Sequence, residues 1–385
     1  MAAGTTLLTD NQMHCILIGV TPPGSDKAWK AVTDQVTSVN GVEVNWIASN
    51  TAHDADDEGK PVQLLCATSD APVEEVVDAT SKSLGDLGYN CELWASAPAI
   101  LPLQPLDGYD AHVIQDNKDE LSTGSSSCSE DWAASAMKEW GMFTQSSLID
   151  AGEVEELRRC VNDEIASVEN LLQLHRPDIN IGKDIMSFKE IASRGNERFD
   201  LLLQASSKSK ARDFVENVIL DRVSPMLERT LGRVIDEVDF DISVVYSKPG
   251  APNQGWHADG DHQKGAKDAG WDVDGWKTRL AEPYALCLFI PLIDLNDRTG
   301  YTQFWPASHR YKDLIGFGPV AEIAESSWNG KCSAGDAIWY DYRLMHRGMG
   351  NTSTALRPVV QVLFKKSWYT ETRNYGTSGI ADCDR

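Results

Sequence analysis

The sequence predicts an α+β protein in which a small domain of alternating strands and helices precedes a larger domain rich in antiparallel strands. Three observations predict this division. Strand and helix periodicities follow the order βαββαβ over residues 1–98. Residues 99–131 are rich in Ser, Gly and acidic side chains, which cannot bury a core, so we expect a linker there. Residues 132–385 contain long amphipathic helices followed by apolar strands.

The N-terminal domain is predicted from short apolar segments separated by turn residues. Strands are expected at residues 13–20, 41–48, 61–67 and 90–95, and helices at residues 27–39 and 72–87. Such an order of elements is typical of a ferredoxin-like domain. That fold supports many functions, so its presence leaves the role of residues 1–98 open.

The C-terminal domain begins with helices and continues with strands. A long helix is expected over residues 152–175, with apolar positions at helical spacing, and another over residues 211–231, interrupted near Pro225. Strands are expected at residues 240–246, 285–292, 337–342 and 359–365. A double-stranded helix of antiparallel strands, buttressed by helices on one side, fits this order.

Composition excludes several classes of partner. The chain has 385 residues, 42% of them hydrophobic, and its formal net charge of −23 repels nucleic acid. The acidity is concentrated in residues 1–131, which hold 21 acidic and 5 basic side chains. The apolar run Ala285–Ile293 is far shorter than the ~20 residues of a membrane span. Eight cysteines without a CxxC pair, and no evident signal peptide, indicate reduced thiols and a cytoplasmic protein.

The motif Trp256–Asp259 is the strongest indication of function. His257 and Asp259 are two positions apart, so on an extended strand both side chains leave the same face and reach a single ion. A third ligand must come from elsewhere, and His346, at the end of a strand-like run, is the candidate. Two imidazoles and one carboxylate leave three coordination positions open, which is the ligand set of non-haem Fe(II) oxygenases.

A cation is expected beside this predicted metal site. A 2-oxo acid that chelates the iron through its keto group and nearby carboxylate leaves its other carboxylate buried. Arg357, eleven residues after His346, can pair with that carboxylate because a guanidinium stays charged and binds in a bidentate manner. Gln254, three residues before the first histidine, is a further candidate to face the co-substrate.

Three segments carry a resemblance to a known family. The runs Tyr246–Asp259, Leu288–His309 and Gly335–Arg357 resemble the phytanoyl-CoA dioxygenase family of iron and 2-oxoglutarate-dependent oxygenases, and the similarity covers roughly residues 140–369. The resemblance implies a jelly-roll, cupin-like fold. The stretch Asp261–Glu282 is atypical of the family, and we expect its Trp- and Gly-rich sequence to form a lid loop.

The resemblance also implies roles for the site residues. His257, Asp259 and His346 would bind Fe(II), and Arg357 would bind the distal carboxylate of 2-oxoglutarate. The expected reaction consumes O2, releases succinate and CO2, and hydroxylates an unactivated C–H bond of a small-molecule or acyl substrate.

Other functions are compatible with the sequence. The same ligands support desaturation, epimerisation or cyclisation. The chain could instead be a catalytically silent scaffold that binds a basic partner through its acidic N-terminal domain. A zinc or manganese cupin-type hydrolase is a third alternative, although a hydrolase has no need of Arg357.

Overall fold

Two compact units form the part of the chain that the computed structural model describes. The described residues are 14–21, 42–50, 62–69, 73–86, 88, 90–98, 113–114 and 127–384, apart from 207, 234, 261–272, 275–276, 279–282, 312–313, 315–317 and 324–325. The first unit comprises residues 1–105 and 319–326, and the second comprises residues 106–318 and 327–385. Within the described residues, no helix has the length and apolar content to cross a bilayer.

The first unit contains a four-stranded antiparallel sheet. Its strands are β1 (His14–Thr21), β2 (Val42–Asn50), β3 (Val62–Ser69) and β4 (Asn90–Pro98), with helix α1 (Val73–Gly85) before the last strand. The strands are arranged in the order β2-β3-β1-β4, and every neighbouring pair is antiparallel. The four strands and one helix agree with the sequence prediction, whereas the other predicted helix, at residues 27–39, lies outside the described residues.

The helices of the second unit lie mainly before its long strands. They are α2 (Ser127–Trp140), α3 (Ala151–His175), α4 (Lys210–Phe214) and α5 (Leu220–Leu231). The short helix α6 (Gly318–Ile323) belongs, apart from its first residue, to the first unit. A π-helical turn, Val215–Ile219, joins α4 to α5. The predicted interruption at Pro225 is therefore wrong, because Pro225 lies inside α5 and the irregular turn precedes it.

Most strands of the second unit belong to one large sheet and one small sheet. The strands are β5 (Val113–Ile114), β6 (Met142–Gln145), β7 (Ile191–Ser193), β8 (Arg198–Leu202), β9 (Val238–Ser247), β10 (Val273–Asp274), β11 (Lys277–Thr278), β12 (Ala285–Pro291), β13 (Thr302–Phe304), β14 (Trp328–Gly330), β15 (Ala337–Asp341), β16 (His346–Gly348) and β17 (Arg357–Lys366). The large sheet has the order β5-β6-β15-β12-β17-β9-β8-β7, the small sheet has the order β14-β13-β16, and β10 pairs with β11.

Part of the predicted linker has regular structure. Residues 113–114 pair in parallel with β6, and α2 begins at Ser127, so the low-complexity composition of residues 99–131 did not reveal these short elements. A two-residue edge strand is held by backbone hydrogen bonds and needs few apolar side chains, so the side-chain pattern does not indicate it. The rest of the segment lies outside the described residues.

Both faces of the large sheet are buried, and the alternation of side chains along each strand determines which residues each face presents. On β12, Leu286, Leu288 and Ile290 belong to the cluster that also contains the helices, whereas Cys287 and Phe289 belong to the cluster between the two sheets. The helix-facing residues of β8, β9 and β17 are likewise apolar. Their other face holds Arg198, Asp200, Ser243, Ser247, Arg357 and Gln361, which are all buried polar residues. The functional site lies on this polar face.

Helix α3 anchors the helical layer. Its N-cap, Asp150, accepts hydrogen bonds from the backbone of Gly152 and Glu153, and the Glu153 carboxylate accepts one from the Asp150 N–H, which completes a capping box. The apolar positions that the sequence predicts for this helix, Val154, Leu157, Val161 and Ile165, are buried.

Truncation of Leu157 should destabilise the second unit. Leu157 is fully buried, so we expect Leu157→Ala to lower the free energy of unfolding by about 2–5 kcal/mol through lost contacts and a residual cavity. Urea denaturation monitored by circular dichroism measures the loss. Glu156→Ala, at the exposed neighbouring position, is the control and should change stability by less than about 0.5 kcal/mol.

Candidate metal centre

An isolated antiparallel bridge between His257 and the first residue of β16 brings the two histidines together. His257 donates its backbone N–H to the His346 carbonyl at 2.9 Å, and His346 donates to the His257 carbonyl at 2.8 Å. The bridge extends the small sheet beyond β16, and it places the imidazole centroids 4.5 Å apart. Two residues that are distant in sequence therefore share one short segment of backbone pairing.

Backbone carbonyls orient both imidazoles. His257 Nδ1 lies 2.9 Å from the Gly255 carbonyl, and His346 Nδ1 lies 2.9 Å from the Leu344 carbonyl. A carbonyl can only accept, so each Nδ1 carries the proton and each Nε2 presents its lone pair. This arrangement is the usual support for histidines that bind a metal through Nε2.

Asp259 completes the cluster. Its carboxylate oxygens lie 3.8 Å from His257 Nε2 and 3.5 Å from His346 Nε2. The possible ligand atoms of the three side chains all lie within 4.8 Å of one another. Among the described residues, these three form the cluster of His, Cys, Asp or Glu side chains that could hold a metal ion. Tyr340 also donates to the carboxylate across 3.4 Å, and the backbone carbonyl of Asp259 accepts a hydrogen bond from Arg373.

Burial keeps His346 neutral. Desolvation lowers its pKa from 6.5 to about 4, although the nearby Asp259 carboxylate opposes the shift. At neutral pH the imidazole is therefore deprotonated at Nε2, which is the form that binds metals.

A buried ion pair shapes the turn that leads to His346. Asp341 accepts hydrogen bonds from the Arg343 backbone N–H at 2.9 Å and from its guanidinium at 2.8 and 2.5 Å, and both residues are 1% exposed. Burial alone would raise the pKa of Asp341, but Arg343 outweighs it and holds that pKa below its usual range. The pair fixes the end of β15 and hence the start of β16.

Arg357 lies in the same cavity as the three metal-ligand candidates. The cavity walls include Arg198, Asp200, Gln254, Thr302, Gly348 and Gln361 in addition to Arg357 and the triad. Arg357 is 3% exposed, and its one hydrogen bond to another described residue is long, 3.3 Å from Nη1 to the Met349 carbonyl. Its Nε has no acceptor among the described residues. Burial, reinforced by the nearby Arg198, lowers the pKa of Arg357 to about 9, so it remains charged at neutral pH.

Gln254 lies in the cavity wall, and its amide is already engaged. The side-chain oxygen accepts hydrogen bonds from Arg198 at 2.6 Å and from the Gly348 N–H at 3.1 Å, and the side-chain nitrogen donates to the Arg194 carbonyl at 2.9 Å. Direct binding of a co-substrate by Gln254 remains a prediction. In the structure this residue positions Arg198.

Several residues of the site were not predicted from the sequence. Arg198 and Asp200 on β8 face the cavity, and Asn374 in the C-terminal segment lines it. The alternation of Arg198 and Asp200 with Phe199 and Leu201 is a signal that the sequence contained, because it marks a strand with one polar face. No local pattern indicates Asn374. The predicted lid, residues 261–282, lies outside the described residues except for β10 and β11.

The site combines two histidines and a carboxylate, which is the ligand set of the non-haem metal oxygenase class. A buried arginine lies beside these ligands in the same cavity. A family model agrees with this class: phytanoyl-CoA dioxygenase (PhyH) matches residues 148–359, which is more than half of the chain. The chain therefore belongs to the phytanoyl-CoA dioxygenase family. All three candidate metal ligands and Arg357 lie within the matched residues.

Several solved structures are similar to this chain at low sequence identity. AviO1 from Streptomyces viridochromogenes Tue57 is 16% identical, with 62% of this chain and 96% of that chain covered and a TM-score of 0.42. The non-heme alpha ketoglutarate dependent epimerase SnoN from nogalamycin biosynthesis is 16% identical, with 62% and 82% covered and a TM-score of 0.42. EctD from S. alaskensis is 19% identical, with 64% and 80% covered and a TM-score of 0.41.

The metal-free protein should lose stability in acid through His346. Its pKa is about 4 when folded and near the ordinary 6.5 when unfolded, so the unfolded chain gains a proton first as the pH falls below 6.5. This group alone should remove about 2–3 kcal/mol of stability between pH 6.5 and pH 4.5.

Urea denaturation of the wild type and of His346→Asn at both pH values measures this contribution. The free energy of unfolding of the wild type relative to the variant should decrease by that amount at the lower pH. A difference between the two proteins that does not depend on pH would contradict the expectation.

Proposed function

We propose that this protein is an Fe(II)- and 2-oxoglutarate-dependent oxygenase acting on a small molecule. The observation that carries the proposal is a single cavity in which the ligand atoms of His257, Asp259 and His346 lie within 4.8 Å of one another and Arg357 presents a buried guanidinium. Membership of the phytanoyl-CoA dioxygenase family supports the same chemistry.

The three ligand residues fit a divalent iron. Each imidazole offers Nε2 because its Nδ1 is committed to a backbone carbonyl, and Asp259 supplies the single anion. Iron in such a site retains positions for a chelating 2-oxo acid and for O2, and it supplies the oxygen activation. A fourth protein ligand would leave only two positions, too few for both the chelating acid and O2.

Arg357 fits the distal carboxylate of 2-oxoglutarate. Its guanidinium is buried and remains charged, and among the described residues it makes one weak hydrogen bond. A buried cation of this kind is unfavourable unless an anion pairs with it. A carboxylate placed there satisfies the guanidinium, and the arginine in turn fixes the co-substrate so that its keto acid end faces the triad.

Hydroxylation of an unactivated C–H bond, with release of succinate and CO2, is the reaction we propose. Desaturation, epimerisation and cyclisation use the same protein ligands and are alternatives within the proposal. A silent scaffold does not require a neutral His346, two adjacent Nε2 lone pairs and a buried Arg357 in one cavity. A hydrolase does not require Arg357.

The substrate is proposed to occupy a second, larger cavity. This cavity has a volume of about 580 Å³ and shares Asp200, Gln361 and Asn374 with the cavity of the triad. Charged residues of both signs line it: Lys189, Glu190, Asp241, Lys365 and Glu371. Such a mixed lining suits a small molecule that carries both polar and apolar groups better than a long hydrocarbon chain.

The folds of the two units are also part of the proposal. The antiparallel order β2-β3-β1-β4, with a helix before β4, supports a ferredoxin-like N-terminal unit. The large, mainly antiparallel sheet and the small sheet that carries His346 support a double-stranded β-helix.

An anaerobic titration with Fe(II) and 2-oxoglutarate tests the co-substrate chemistry. The ternary complex of such a site has a visible charge-transfer absorption, which we expect for the wild type. Asp259→Ala and His346→Ala should abolish the band because each removes one of three ligands. Asp297→Ala, which removes a carboxylate that is 75% exposed, is the control and should leave it unchanged.

Loss of Arg357 should weaken the binding of 2-oxoglutarate and leave the binding of Fe(II) nearly unchanged. We expect Arg357→Gln to raise the Kd of 2-oxoglutarate by about 100-fold, since a buried charge-assisted hydrogen-bond pair is lost. The affinity for Fe(II) alone, measured by calorimetry, should change by less than about 3-fold. If Fe(II) and 2-oxoglutarate bind no better to the wild type than to His346→Ala, the proposed function is wrong.

The substrate class can be tested by stimulated succinate formation. The wild type, with Fe(II), 2-oxoglutarate and O2, should form succinate faster in the presence of pools of polar small molecules than in their absence. Stimulation by long-chain acyl thioesters alone would contradict the proposed substrate class. Asp259→Ala is the control and should form no succinate above background with either pool.

A further inference from the structure

A second buried guanidinium, that of Arg198, lies beside Arg357. Arg198 is the first residue of β8 and is 1% exposed. One of its Nη atoms donates to the Met349 carbonyl at 2.9 Å, and Arg357 Nη1 approaches the same oxygen at 3.3 Å. The two guanidinium groups therefore have nitrogens within about 6 Å of each other, at the end of the cavity that Arg357 occupies.

Strand register explains why the two arginines converge. Ser247 on β9 pairs with Arg198 on one side and with Arg357 on the other, so the three residues form a row across three strands. Directly paired residues of antiparallel strands present their side chains on the same face. The Ser247 hydroxyl is fully buried and, among the described residues, makes no hydrogen bond.

The cations of this row have no carboxylate partner in the part of the chain that the structure describes. Arg198 makes three recorded hydrogen bonds, to the Gln254 side-chain oxygen and to the carbonyls of Pro252 and Met349, and all three acceptors are neutral. A guanidinium has five N–H groups, so donors remain. By contrast, Arg194 in the same cavity forms an ion pair with Asp200 at 2.9 Å.

Gly348 provides the room for Arg198. A Cβ atom at Gly348 would lie 1.7 Å from Arg198 Nη1 and 2.5 Å from the Gln254 side-chain oxygen. Any larger residue at this position would displace the guanidinium from the cavity. Gly348, two residues after His346, therefore leaves the space that the Arg198 side chain occupies.

We propose that Arg198 and Ser247 bind the distal carboxylate of the co-substrate together with Arg357, so that two guanidinium groups and a hydroxyl form one carboxylate site. The proposal rests on the proposed function. Two adjacent buried cations and an unbonded buried hydroxyl are each unfavourable alone, and a single carboxylate between them accepts hydrogen bonds from all three. Arg198 then determines selectivity for a 2-oxo acid that carries a second carboxylate.

Titration of anaerobic, Fe(II)-loaded protein with two keto acids tests this role. The ligands are 2-oxoglutarate and 2-oxobutyrate, which has the same chelating end and no distal carboxylate. We expect Arg198→Gln to raise the Kd of 2-oxoglutarate by about 10- to 100-fold and that of 2-oxobutyrate by less than about 3-fold. Ser247→Ala should raise the Kd of 2-oxoglutarate by about 3- to 10-fold.

Arg233→Gln is the matched control, because it makes the same chemical change at an exposed position and should alter neither Kd. If Arg198→Gln fails to fold, as judged by circular dichroism, Ser247→Ala alone decides the matter, since the loss of one hydroxyl preserves the strand. An unchanged Kd of 2-oxoglutarate in that variant would then overturn the proposal.

The remaining outcomes separate the inference from the function beneath it. If the wild type binds 2-oxoglutarate and both variants bind it equally well, Arg198 and Ser247 are not part of the carboxylate site, and the proposed function stands. If Arg198→Gln weakens both keto acids to the same extent, Arg198 merely supports the loops at Pro252 and Met349, and the inference is wrong. If the wild type binds neither keto acid, the proposed function itself fails.

Discussion

The pair of backbone hydrogen bonds between His257 and His346 is the constraint on which the site depends. Each residue both donates to and accepts from the other, so the two chain segments are fixed at one point. Because each Nδ1 then bonds to a carbonyl two residues away in its own segment, little rotational freedom remains for either imidazole. Asp259 follows two positions after His257 and is carried to the same place by the same strand.

Desolvation gives the cavity its chemical character. The sheet and its neighbours exclude water from His346, Arg198 and Arg357, and burial disfavours the charged form of each. The histidine responds by remaining neutral, which suits a metal. The arginines, with pKa values of about 10 and about 9, remain charged, and their charge suits an anion. One physical effect thus prepares adjacent parts of the cavity for ligands of opposite sign.

The C-terminal segment after β17 completes the wall of the site. Tyr375 donates to Asp200 at 2.7 Å, and Asn374 donates to the Tyr342 hydroxyl at 3.0 Å. Arg373 bonds the backbone carbonyl of Asp259, so this segment is tied to the strand that carries two of the metal-ligand candidates. Asn374 lines both the cavity of the triad and the larger cavity, so the segment forms part of the wall of each.

Much of the architecture was predictable because it follows from local periodicity. Helix α3 and strands β9, β12, β15 and β17 appear where helical spacing and apolar runs predict them. The short strands β7 and β8 were missed, and so was the π-helical turn before α5, since three to five residues carry too weak a pattern. The two residues of β5 lie in a segment whose composition indicates a linker.

The sequence by itself determined that His257 and Asp259 share one strand face, since side chains two apart on a strand must do so. Once β8 is known to be a strand, the alternation in Arg198–Leu202 explains its one polar face. Only the tertiary structure decided that His346 pairs with His257, and that Arg198, Ser247 and Arg357 lie in one row. The physical reason is that strand periodicity sets the face of each residue, whereas its neighbours across the sheet depend on register between segments far apart in the chain.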